Sequence, residues 1–163
     1  EIKKKSISKL KLCWIGDANN NMMNSLIEAC IKFSVSLNIA CPKDYQPNKY
    51  FILLIKKQKG KIKIFNKKEK AIKNSDVVMT DKIISLNDKV NKKKKLKSFK
   101  NFKVDTKTMN LAKKDAIFLH CLPRGSEVTE EVFLGKQSRV WQQALNRVYV
   151  QKSILLYCFG KLR

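Results

Sequence analysis

The chain has 163 residues and a formal net charge of +23, because 36 lysines and arginines stand against 13 acidic residues. Its 44% hydrophobic content suffices for one packed core, which excludes disorder of the whole chain, and no apolar run approaches the ~20 residues of a membrane-spanning helix. No secretory signal follows the first residues, and the odd number of scattered cysteines indicates reduced thiols, so a cytoplasmic location is expected.

The predicted elements alternate between strands and helices along the whole chain. In chain order, the pattern predicts a strand at 9–15, a helix from 19 to 33, a strand at 36–41, a helix at 47–59, a strand at 61–65, a helix at 67–73, a strand at 76–80, a loop at 81–88, a basic helix at 88–99, a short helix ending near 112, a strand at 116–120, a loop at 121–126, a helical turn at 130–134, an extended piece at 138–141 and a long helix at 142–159. This alternation predicts a doubly wound, mainly parallel five-stranded sheet of the Rossmann-like α/β class.

No internal linker divides the chain, so we interpret residues 1–141 as one α/β domain and 142–163 as a long C-terminal helix. Apolar residues occur on more than one face of that helix. We therefore expect it to pack on something that this chain does not contain.

The positive charge first suggests a polyanionic partner, since clustered basic residues neutralise phosphates. However, 32 of the 36 basic residues are lysines, whereas planar contacts to phosphates and bases favour arginine. The lysines are also spread along the chain, with one dense block at Lys92–Lys95. We interpret most of them as solvated residues that reflect A- and T-rich codons, and we keep nucleic-acid binding by the block as an alternative.

Three polar clusters follow predicted strands, at Gly16–Asn21, at Thr80-Asp81 with Ser85, and at His120–Arg124. Ligands of open α/β sheets bind beyond the carboxyl ends of the strands, so the three clusters predict a site at that edge. Neither GxGxxG nor GxxxxGK[ST] occurs, and neither dinucleotide nor P-loop phosphate binding is therefore supported.

Taken one by one, these residues leave alternatives open. Asn19 either caps a helix or helps to recognise a carboxylate, and Asp81 either forms a turn or accepts a hydrogen bond from an ammonium group. His120 and Cys121 point to opposite faces of an extended segment, so they make a poor nucleophilic dyad, and one histidine with scattered cysteines makes no zinc site. Arg147 either reaches an anion or lies at the surface.

Three motifs together resemble the ornithine carbamoyltransferases of the aspartate/ornithine carbamoyltransferase family: Trp14-Ile15-Gly16-Asp17-Ala18-Asn19-Asn20, His120-Cys121-Leu122-Pro123 and Asn146-Arg147. The resemblance covers nearly the whole chain, but only the second, ornithine-binding half of those enzymes. It implies a missing N-terminal half with most of the carbamoyl-phosphate ligands, onto which residues 142–163 would pack. It also implies a homotrimer, no metal or organic cofactor, and a mitochondrial matrix location if the source is eukaryotic.

The resemblance also assigns roles to individual residues. Asp81 and Cys121 would be catalytic; Asn20, Asp81, Ser85 and the backbone of Leu86 would bind L-ornithine; Cys121, Leu122 and Arg147 would bind carbamoyl phosphate. A carboxylate and a thiolate-capable cysteine would help to deprotonate the attacking amine, and cationic donors would stabilise the departing phosphate.

The chain departs from the family pattern in two places. The family's Ser-Met-Gly is Ser85-Leu86-Asn87 here, and Glu-Asn-Arg is Leu145-Asn146-Arg147. The sequence thus predicts the second half of an enzyme that makes L-citrulline and phosphate from carbamoyl phosphate and L-ornithine. A non-catalytic or decayed amino-acid-binding fragment is the alternative.

Overall fold

A computed structural model describes residues 6–58, 60–84 and 91–161 of the chain. Five parallel strands form one sheet in the order β3-β2-β1-β4-β5. They are β1 (Lys11–Ile15), β2 (Ser36–Ala40), β3 (Ile62–Phe65), β4 (Val77–Asp81) and β5 (Ile117–Cys121). The predicted five-stranded parallel α/β fold is confirmed, and the strand order reverses between β1 and β4, where a crevice opens at the carboxyl edge.

Helices cover both faces of the sheet. They are α1 (Asn21–Lys32), α2 (Lys49–Lys56), α3 (Lys68–Ile72), α4 (Lys92–Phe99), α5 (Thr106–Met109), α6 (Glu130–Phe133) and α7 (Val140–Cys158). Side chains from α1 and α2 pack on one face of the sheet, around Trp14, Leu37 and Ile39. Side chains from α3 to α6 pack on the other face, against Ile15 and Phe118.

Local sequence explains where several helices begin. The Asn20 side chain accepts a hydrogen bond from the backbone N–H of Met23, and Asn48 and Asn91 cap α2 and α4 in the same way. An asparagine at this position satisfies one of the backbone donors that the first turn leaves free. The cap of α1 is therefore Asn20, not the expected Asn19, and α2 begins after Asn48 rather than at Pro47.

The extended piece predicted at 138–141 is wrong. Only Ser138 makes a bridge, pairing with Phe118 of β5, and α7 begins at Val140. The apolar side chain of Val140 is buried because it belongs to the first turn of α7, which packs beside β5. The start of the predicted basic helix, at 88–90, lies outside the described residues.

Beyond its first turn, α7 exposes large apolar side chains. Trp141, Leu145, Ile154, Leu155 and Phe159 each expose more than half of their surface. The several apolar faces of this helix, expected from the sequence, are thus uncovered in the chain as described. In the same part of the chain, no helix combines the length and the apolar character needed to cross a membrane.

Candidate active site at the carboxyl edge of the sheet

A cleft of about 770 Å³ lies where β4, β5 and α7 meet. Its lining combines one carboxylate, one thiol, one imidazole and one guanidinium with apolar and amide groups. The lining residues are Met22, Asp81, His120, Cys121, Leu122, Gln143, Ala144 and Arg147. A concave site with a few convergent polar groups at the end of parallel strands is the usual position for a small-molecule site in this fold class.

Asp81 and Cys121 are the last residues of neighbouring strands and are paired directly across the sheet. Forty residues separate them in sequence, but the parallel register places them side by side. Because paired residues in adjacent strands project to the same face, the carboxylate and the thiol face the cleft together. Only the pairing of β4 with β5 brings about this juxtaposition.

Burial raises the pKa of the half-buried Asp81 above its usual value. The backbone N–H of Lys82, which donates to Asp81 Oδ1 at 2.7 Å, and the nearby His120 oppose that rise, whereas Glu127 and Asp17 add to it. A carboxylate whose charge is poorly solvated gains from a cationic neighbour. Asp81 is therefore suited to receive an ammonium group or a proton.

Burial also raises the pKa of the Cys121 thiol, to about 12, and the Asp81 carboxylate adds to the rise. The thiol is consequently protonated near neutral pH in this domain. The idea that Cys121 acts as a thiolate is not supported by this environment. A neutral S–H can still donate a weak hydrogen bond to a ligand in the cleft.

Gly16 and Asp17 shape the loop between β1 and α1. Gly16 has φ of +147°, and a Cβ atom at this position would lie 3.3 Å from the Thr80 hydroxyl oxygen, so glycine suits both the backbone and the space. That hydroxyl donates to the Ile15 carbonyl at 2.5 Å, which ties the ends of β1 and β4 together. The first two polar clusters predicted from the sequence are thereby adjacent.

His120 and Glu127 form a buried pair beneath the cleft. His120 Nε2 lies 2.8 Å from Glu127 Oε1, and the Gly125 N–H donates to the same oxygen at 2.6 Å. Burial raises the pKa of Glu127, but the hydrogen bonds from His120 and Gly125 outweigh it and hold the pKa below its usual value. The pair fixes both ends of the loop at 121–126, in which the Leu122–Pro123 peptide is cis.

We expect Glu127→Gln to lower the free energy of unfolding by about 1–3 kcal/mol near neutral pH, because a charge-assisted buried hydrogen bond is weakened. A carboxyl whose folded pKa is depressed stabilises the fold above its unfolded pKa and loses that effect as the pH falls through the folded value. The difference between wild type and variant should therefore shrink below about pH 4.3, the usual glutamate pKa. Urea unfolding at several pH values measures it. Glu69→Gln, on α3, is the control, and a difference that persists in strong acid would contradict the assignment.

Helix α7 completes the cleft. Gln143 Oε1 accepts a hydrogen bond from the His120 backbone N–H at 3.0 Å, so the first turns of α7 are anchored to β5. One turn further along, the exposed Arg147 lines the same cleft. The surface position considered for Arg147 and its proximity to the site are thus both observed.

The structure brings Asp81, Cys121, Leu122 and Arg147 to one cleft. Asn20 lies at the start of α1, with its side chain occupied by the helix cap, while Ser85 and Leu86 lie outside the described residues. Sequence reasoning did not find Glu127 or Gln143 as supports of the site, and neither carries a signal, because each acts through a partner in a distant element. Among the described residues, no three His, Cys, Asp or Glu side chains come together to hold a metal ion.

Fold and site together define a ligand-binding α/β domain with its cleft at the sheet's carboxyl edge. Residues 8–158 match the family described as "Aspartate/ornithine carbamoyltransferase, Asp/Orn binding domain", and the chain belongs to this family. The resemblance noted in the sequence motifs is thereby confirmed.

Relatives and solved structures agree with this assignment. The chain is 42% identical to the ornithine carbamoyltransferase of Ruthia magnifica over 93% of its own length and 50% of the relative's. The ornithine carbamoyltransferase structure from Pyrococcus furiosus superposes with a TM-score of 0.86 at 33% identity, covering 99% of this chain and 53% of that one. For the enzyme from Campylobacter jejuni the TM-score is 0.83 at 37% identity, with 93% and 52% covered. The chain thus spans about half the length of the proteins it matches.

Proposed function

We propose that this chain is the amino-acid-binding half of an ornithine carbamoyltransferase, which converts carbamoyl phosphate and L-ornithine into L-citrulline and phosphate together with a second half. The observation that carries the proposal is the direct pairing of Asp81 with Cys121 at the mouth of the cleft that Arg147 lines. Membership of the family and the relatives named ornithine carbamoyltransferase support the same activity.

In the proposed reaction, the side-chain amine of ornithine loses a proton and its nitrogen attacks the carbamoyl carbon. The carbon–oxygen bond to phosphate then breaks, and phosphate leaves with the electron pair. Asp81 pairs with the ammonium group and accepts its proton, a role that suits a carboxylate with a raised pKa. Cys121, as a neutral thiol, and the adjacent backbone at Leu122 contact the carbamoyl group, while Arg147 contacts the phosphate.

The remaining contacts are proposed from the resemblance. Asn20, Ser85 and the backbone of Leu86 bind the α-amino and carboxylate end of ornithine. Residues 1–141 form the ornithine-binding unit, and helix 142–163 covers its exposed apolar face by packing on the half that binds most of the carbamoyl phosphate. The full enzyme is a homotrimer that needs no cofactor.

The decisive experiment supplies the full-length gene product with carbamoyl phosphate and either L-ornithine or L-aspartate, the two amino acids in the family's description. We expect citrulline and phosphate in equal amounts from ornithine, no carbamoyl-aspartate, and strongly reduced product with Cys121→Ala. Product from neither amino acid would refute an enzymatic role.

In that negative case, calorimetry distinguishes a retained binding site from a decayed one. Heat of ornithine binding that is lost with Asp81→Ala would identify an amino-acid-binding domain. Absence of any heat signal from the folded protein would identify a domain that has lost its ligand.

A further inference from the structure

The lysine block at 92–95 is divided by the structure. Helix α4 exposes Lys92, Lys93 and Lys94, whereas Lys95 is 4% exposed and is the only buried lysine within the described ranges 6–58, 60–84 and 91–161. A lysine is almost never buried without a partner, because removal of its ammonium group from water is costly. The fourth member of the block therefore differs in role from the other three.

The partner of Lys95 is Asp17, in the loop between β1 and α1. Lys95 Nζ lies 2.6 Å from Asp17 Oδ2, and only 5% and 9% of the two side chains are exposed. The ammonium group also lies 5.5 Å from the centroid of the Tyr45 ring, whose residue accepts the Ala18 N–H at its backbone carbonyl. This ion pair ties α4 to the loop that precedes α1.

Asp17 in turn holds Asn20. Asp17 Oδ1 accepts the backbone N–H of Asn19 at 2.9 Å, and the Asp17 carbonyl accepts a hydrogen bond from Asn20 Nδ2, also at 2.9 Å. The other end of the Asn20 amide accepts from the Met23 N–H. Both ends of the Asn20 side chain are thus oriented, one of them by Asp17.

From this chain of contacts we infer that Lys95 is a positioning residue: through its buried ion pair with Asp17 it sets the orientation of Asn20 toward the amino-acid substrate. The inference rests on the proposed function for its consequence in catalysis, but its structural part stands independently. Lys95 acts by neutralising Asp17, so that the loop adopts one conformation. It does not touch the substrate and is not available to a polyanion.

The test is Lys95→Met in the full-length protein, which removes the ammonium group and keeps the aliphatic stem. Lys93→Met, on an exposed neighbour, is the control. We expect the KM for L-ornithine to rise about three- to tenfold, as for loss of one net hydrogen bond, with the KM for carbamoyl phosphate unchanged. An unchanged ornithine KM, or an equal change in both constants, would overturn the inference.

A measurement without turnover separates this inference from the proposed function. Hydrogen–deuterium exchange should accelerate in peptides that contain the Asn19 and Met23 amides in Lys95→Met but not in Lys93→Met, with β5 unaffected. Unchanged exchange at these amides would overturn the inference even in an active enzyme. If Lys95→Met does not fold, the double variant Asp17→Asn/Lys95→Met, which leaves no unpaired buried charge, is measured against the same expectations.

Discussion

Asp81→Asn is expected to reduce kcat/KM for L-ornithine by about two to four orders of magnitude, the usual contribution of a general base. The amide is isosteric with the carboxylate but neither pairs with an ammonium group nor accepts its proton. Steady-state assays of citrulline formation by the full-length protein measure this loss. Because Asp81 lies at the end of β4 and is half-buried, the exchange should leave the fold intact.

Asp44→Asn, at an exposed turn between β2 and α2, is the matched control and should retain full activity. The raised pKa of Asp81 adds a second expectation. In the wild type, kcat/KM for ornithine should fall as the pH decreases through the raised value, because the protonated carboxyl cannot accept a proton. The variant should lack this acid limb, and near-wild-type activity with an unchanged pH profile would exclude Asp81 as the base.

Arg147→Ala should raise the KM for carbamoyl phosphate and lower kcat, for a combined loss of about 10²–10³ in kcat/KM, as when one donor to developing charge is removed. A guanidinium makes two parallel hydrogen bonds to a phosphate, so Arg147→Lys should recover only part of the loss. Lys152→Ala, also exposed on α7, is the charge-matched control. Equal effects of the alanine variants at 147 and 152 would indicate a general electrostatic role rather than a phosphate contact.

The positions of the strands follow from the sequence because each strand is a short apolar run that is bounded by turn residues. Lys11–Ile15 and Ile117–Cys121 were predicted to within two residues at each end. Helix starts were less certain, since several asparagines precede α1 and each is a good cap. Only the hydrogen bond to Met23 identifies Asn20 as the cap, and only the bridge between Ser138 and Phe118 shows where α7 begins.

The candidate site was predicted in part for the same reason. Residues that directly follow strands, such as Asp81 and Cys121, are marked by the end of an apolar run and by the motifs of the family. Glu127 and Gln143 carry no such mark, because each supports the site through one hydrogen bond to His120 across a loop or from a helix. The protonation state of Cys121 depends on burial and on Asp81, and neither is visible in the order of residues.

The charge of +23 illustrates this division. The sequence by itself determined that lysines predominate, that strands alternate with helices, and that three polar clusters end strands, because composition and hydrophobic period are local properties. Tertiary structure alone decided that Asp81 lies beside Cys121, and that one lysine of the 92–95 block is buried against Asp17 while its neighbours are solvated. The physical reason is that strand register and the desolvation of a charge depend on groups that are far apart along the chain.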